Sequence, residues 1–133
     1  MPFDPQALFA NLSEKERLKG HHSAEGRAIR TLSRAINGWS SGNLSALDVL
    51  VLSDQAMEDW LKAKLKLSAW STRSLAELMA MAVAKEWITR AEAVRLQRIR
   101  NARSRMHAQA NRISTQDVQA ALEFCIRLVE KHW

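Results

Sequence analysis

Cysteine occurs once in this chain, at Cys125, so neither an internal disulfide nor a cysteine-based metal site can form. Proline is confined to Pro2 and Pro5, and no glycine lies beyond Gly42. Residues 44–133 therefore lack both helix-breaking residue types, which favours an all-helical body. No apolar run approaches the ~18 residues of a membrane span, and the N-terminus has no signal-peptide core. A cytoplasmic protein with no membrane partner is the expectation. No segment repeats with a period of about 20–50 residues, which excludes solenoids and other arrays.

What is present is enough for one domain. At 133 residues, 47% hydrophobic and 26% charged, the chain can bury a proper core. Its charge is unevenly spread. From Arg90 to Arg112 there are seven Arg against the single acid Glu92, a local surplus of +6, equal to the net charge of the whole chain. A basic surplus confined to one segment suggests a polyanion footprint or a phosphate site. An Arg-rich solvated helix face would give the same count.

Residues 1–22 read as the least regular part. Pro5 can open a short helix through Phe9 and Leu12, and Lys19-Gly-His-His22 reads as a break. His21 and His22 have no third ligand nearby, so no metal is expected there. Ser23 caps a helix reaching Asn37, with Gly38 suited to the position just past its end and Trp39–Asn43 as a linker. Residues 1–43 are thus a candidate N-terminal helical extension on a body spanning 44–133. In that body Ser45 and Asp48 have capping-box spacing before a long apolar helix that should be the most buried, with Trp60 and Leu61 inside. Asp54, Glu58 and Asp59 interrupt it and read as surface acids, with pairing to the Arg-rich helix a secondary role. Ser74 with Glu77, and Thr89 with Glu92, mark two further helix starts. A loop around 110–113 then precedes a last helix, capped by Ser114 or Thr115, with a stripe from Val118 to Val129. Four such helices with short connections pack most simply as an up-down four-helix bundle.

Leu96 to His107 is the stretch with chemistry. On a helix, residues seven apart fall about 20° short of two full turns. Arg100 and His107 therefore share a side, with Arg103 one turn before His107. Ile99, Ala102 and Met106 form an adjoining apolar stripe, and Arg105 points away from it. The two cations and the imidazole sit at the border between a buried face and an exposed one.

With these residues the 44–133 body resembles a HEPN (higher eukaryotes and prokaryotes nucleotide-binding) domain. The resemblance is carried by the long apolar helix, Ser-Leu-Ala-Glu-Leu, the Thr-Arg-Ala-Glu-Ala helix entry, Arg-Ile-Arg-Asn-Ala-Arg-Ser-Arg-Met-His and the closing Ser-Thr-Gln-Asp-Val-Gln-Ala-Ala-Leu-Glu helix. The family motif is an Arg, usually a following polar residue, and a His after four to six intervening residues. Arg100, Asn101 and His107 match it at the long end of that range, and either Arg100 or Arg103 can be the motif arginine. The resemblance implies an all-α, HEPN-like bundle and an RNA-binding protein of toxin–antitoxin or defence type, acting as a metal-independent endoribonuclease. It implies no cofactor, a homodimer that pairs two motifs in one cleft, RNA or nucleotide as ligand, and an antitoxin as partner. Arg100 and His107 are the catalytic candidates; Asn101, Arg103 and Arg98 are the substrate-binding ones. Many HEPN domains are not nucleases, so a non-catalytic nucleotide- or protein-binding module is the alternative.

Overall fold

Short polar side chains start the helices of this chain. A computed structural model describes residues 4–20, 23–68, 70–104 and 114–131 in full, and 105–109 as helical backbone only. Among them run α1 (Pro5–Lys19), α2 (Ala24–Ser40), α3 (Ala46–Lys64), α4 (Leu75–Ala84), α5 (Arg90–Gln109) and α6 (Thr115–Lys131), with no strand. Ser45 and Asp48 satisfy each other's backbone N–H groups, as the spacing predicts. At α5 the Glu92 N–H donates to Thr89 Oγ1 (3.1 Å) and the Thr89 N–H donates to Glu92 Oε1 (2.8 Å). Ser74 and Ser114 each accept from the backbone three residues on. A cap of this kind contributes about 1 kcal/mol. The expected loop at 110–113 and the pair His21–His22 lie outside the described residues.

The N-terminal part is more regular than its sequence suggests. Asp4 caps α1, which continues as far as Lys19 before Gly20 turns the chain with φ +91°. α2 passes through Gly38 and Trp39 to Ser40, so the expected stop at Gly38 is corrected. Leu44 folds back against the helix there, and a Cβ on Gly38 would sit 2.4 Å from its side chain. Gly38 thus makes room for Leu44, while Gly42, with φ +77°, takes the left-handed conformation needed for the turn.

α3 lies at the centre, against α2, α4, α5 and α6. Trp60 and Leu61 are buried on it, as expected, with Val49, Leu50, Ala56 and Met57. One apolar cluster runs from Leu12 of α1 to Val129 of α6, and it takes in Ala28, Ile29, Leu32, Ala35 and Ile36 of α2. The helices α1 and α2 therefore share the core of the rest. Cys125 of α6 is enclosed in it, and burial, with the nearby Asp54 charge, pushes its thiol up to about 12. The thiol is neutral and unreactive at neutral pH.

The α1–α2 turn depends on one glycine. A Cβ on Gly26 would lie 2.1 Å from the Gly20 carbonyl oxygen. That oxygen also accepts from the Ser23 N–H (3.2 Å) and hydroxyl (3.0 Å), so it is held in place. Gly26→Ala should destabilise the fold by about 1–3 kcal/mol through overpacking. Chemical denaturation would read this directly; an unchanged midpoint would show that the turn yields freely.

Candidate functional site

The feature that organises the Arg-rich helix is a carboxylate from another element. Leu50, Asp54, Met57 and Leu61 fall on one side of α3, so Asp54 sits in the buried stripe and is only 3% exposed. The expectation that it is a surface residue is therefore corrected. Burying a lone carboxylate is costly, and α5 supplies the compensation. Arg100 approaches along one edge: its Nε donates to Asp54 Oδ1 (3.2 Å) and Oδ2 (3.3 Å), and its Nη2 donates to Oδ2 (3.1 Å). Arg103 reaches the same Oδ2 end-on through Nη1 at 2.7 Å. Glu58, one turn along α3, lies 3.7 Å from Arg100 Nη2. Two guanidinium groups thus close over one buried acid.

The two arginines are not equivalent. Arg100 spends its Nε–Nη2 edge on Asp54 and has Glu58 beside it. Arg103 spends one nitrogen, and among the described residues nothing meets its Nε or Nη2. Its side chain is one-third exposed (33%), close to the 29% of Arg100, so the two differ in how Asp54 engages them rather than in exposure. A guanidinium edge of this kind can take a phosphate by two parallel hydrogen bonds.

The remaining sequence candidates divide between this cluster and other places. The backbone of His107 belongs to α5, seven residues on from Arg100; its side chain, like that of Arg105, lies outside the described residues. Asn101 is exposed and accepts from Gln97 Nε2 at 3.0 Å, so it is turned away from Asp54. Arg98 is about 200° around the helix from Arg100. It lines a cleft between α5 and α6 with Leu50, Ala102 and Phe124, where the Arg95 guanidinium lies 4.1 Å from the Phe124 ring centre. Arg100 and Arg103 are therefore brought together, and Arg98 and Asn101 are not.

Asp54 is the residue that sequence reasoning placed wrongly. The available signal was its position: an acid at a core step of an apolar helix has to be paired. Among the described residues no three His, Cys, Asp or Glu side chains converge as metal ligands would. No family model, curated protein or solved structure matches the chain, so the functional reading rests on its own residues.

Proposed function

We propose that this chain is a HEPN-like, homodimeric RNA-binding protein of toxin–antitoxin or defence type that cleaves RNA without a metal. In this reading Arg103 is the arginine that binds phosphate, and Arg100 is the one that holds Asp54. The observation that carries the assignment is the shared Asp54, which occupies an edge of Arg100 but a single nitrogen of Arg103. His107 follows Arg103 by one helical turn, close enough in helix position to act on the same phosphodiester. Its imidazole takes the proton of a ribose 2′-hydroxyl, whose oxygen attacks the phosphorus. Arg103 offsets the charge that builds on the phosphoryl oxygens. The P–O5′ bond breaks as the 2′,3′-cyclic phosphate forms, and the 5′-oxygen leaves with a proton from the partner subunit's His107. The local surplus of +6 from Arg90 to Arg112 draws the RNA in.

Single-stranded RNA incubated with the protein in EDTA should be cut to products ending in 2′,3′-cyclic phosphate. Binding should weaken steeply with salt, because phosphate contacts release counterions. His107→Ala should abolish cutting and leave binding nearly intact. Arg103→Ala should weaken both.

A second reading has an observation of its own. Both arginines already hold a carboxylate, which is what a purely structural ion cluster would do. A folded protein that binds diverse RNAs or nucleotides yet cuts none of them would establish this non-catalytic module. Cutting that survives His107→Ala unchanged would also reject the nuclease assignment.

A further inference from the structure

Arg95 and Arg98 stand one turn apart on α5 and line the cleft against α6. Its floor is apolar, formed by Leu50 of α3, Ile99 and Ala102 of α5, and Ala121 and Phe124 of α6. The Arg95 guanidinium lies 4.1 Å from the Phe124 ring centre, which is stacking distance. Beyond these two residues the cleft widens toward the start of α5 and the end of α6, past Glu92, Glu123, Arg127 and Lys131. There the charges are spent on each other. Arg127 Nη2 is 2.8 Å from Glu123 Oε1, and Lys131 Nζ is 3.0 Å from Glu92 Oε2. Asp117 borders the narrow end, in the first turn of α6, where an acid suits the positive end of its own helix. Four cations thus face three acids along the cleft, a surplus of one. Among the described residues Arg95 and Arg98 pair with no carboxylate.

We propose that the narrow end of this cleft binds a small aromatic carboxylate, its ring on the apolar floor beside Arg95 and its carboxylate on the Arg98 guanidinium. Volume sets the size of the ligand. The narrow end encloses about 190 Å³, and a cavity of about 150 Å³ admits one benzene ring. One ring with a short substituent fits, and a whole nucleotide does not. Stacking selects an aromatic ring over an aliphatic one, because a guanidinium attracts the face of a π system. A guanidinium has two faces, so Arg95 can stay on Phe124 and stack a second ring on the other. Charge selects the anion. The Arg98 fork takes a carboxylate by two parallel hydrogen bonds, and the surplus of one positive charge matches it. A phosphate monoester carries about −1.5 to −2 at neutral pH and would set its excess against Asp117. Arg98 is about 200° around α5 from Arg100, so this site is separate from the Asp54 cluster and stands whether or not the chain cleaves RNA.

The test is titration with benzoate, followed by two-dimensional NMR of the backbone amides. Benzoate should saturate with a dissociation constant of about 1 mM, usual for a ligand of this size, and shift amides of α5 and α6 around the cleft. Benzamide keeps the ring without the charge and should bind about tenfold more weakly; cyclohexanecarboxylate keeps the charge without the π face and should lose about threefold. Phenyl phosphate should bind no more tightly than benzoate. Arg98→Ala, at an exposed position, should weaken benzoate about tenfold with unchanged helical circular dichroism, and Arg98→Lys should fall between it and the native chain. Ala120→Leu, on the exposed wall of the cleft, should block the ring. Arg103→Ala should bind benzoate as the native chain does, so failure at the phosphate arginine and failure here are told apart. No saturation by ~30 mM benzoate would overturn the proposal. Benzamide as tight as benzoate, phenyl phosphate tighter than benzoate, or an affinity unmoved by both Arg98→Ala and Ala120→Leu would each do the same.

Discussion

Trp60→Ala should lower the free energy of unfolding by about 3–5 kcal/mol and the melting temperature by roughly 10–20 °C. Trp60 is 1% exposed and is the largest fully buried side chain of the fold. It sits on α3, which touches four other helices, so the vacated space is walled from several sides and collapses poorly. The transfer term alone is large: about 200 Å² of apolar surface at ~25 cal/mol per Å² gives ~5 kcal/mol before relaxation. Lys64 adds a smaller contribution, its ammonium lying 5.9 Å from the Trp60 ring centre and 5.4 Å from that of Trp87. Urea titration followed by circular dichroism would measure the loss. A value below ~1 kcal/mol would show that α3 does not face the core.

Removing both arginines from the Asp54 cluster should cost a comparable amount, about 3–5 kcal/mol, because it leaves a buried charge with no partner. The direction of the asymmetry is the informative part. Asp54 is 3% exposed, while Arg100 and Arg103 keep 29% and 33% of their side-chain surface. Arg100→Ala with Arg103→Ala therefore strands a carboxylate in the core, whereas Asp54→Ala frees two cations that can turn to water. The double arginine variant should be the less stable of the two. Replacing Asp54, Arg100 and Arg103 together by Leu or Met should recover most of the loss, since no group is then left unpaired. A double arginine variant as stable as the native protein would show that the cluster does not hold α5 to α3. The same series separates folding from chemistry: Arg103→Ala leaves Arg100 on Asp54, so a cleavage defect there would arise at the phosphate.

Helix positions were legible because they depend on local chemistry. Ser45 with Asp48 and Thr89 with Glu92 meet their own backbone within one turn, and nothing distant is needed for that. The absence of Pro and Gly from 44–133 fixed an all-helical body in the same way, and the apolar spacing of α3 was enough to bury Trp60 and Leu61. The N-terminal segment was harder. Gly38 looks like a helix end, because nothing near it in sequence reveals that Leu44 will return to lie against it.

The candidate site divides along the same line. Periodicity alone puts Arg100, Arg103 and His107 on one side of a single helix, since the rotation per residue is fixed by the backbone. It cannot say how each arginine is engaged, because that depends on a carboxylate 46 positions before Arg100 in the chain. Asp54 and the Arg-rich helix meet only when α5 packs on α3, and the desolvation cost of the buried acid then draws in both guanidinium groups. The sequence determined the helices and the faces they offer; tertiary packing decided which charges meet, because an ion pair between elements exists only once both have been taken out of water together.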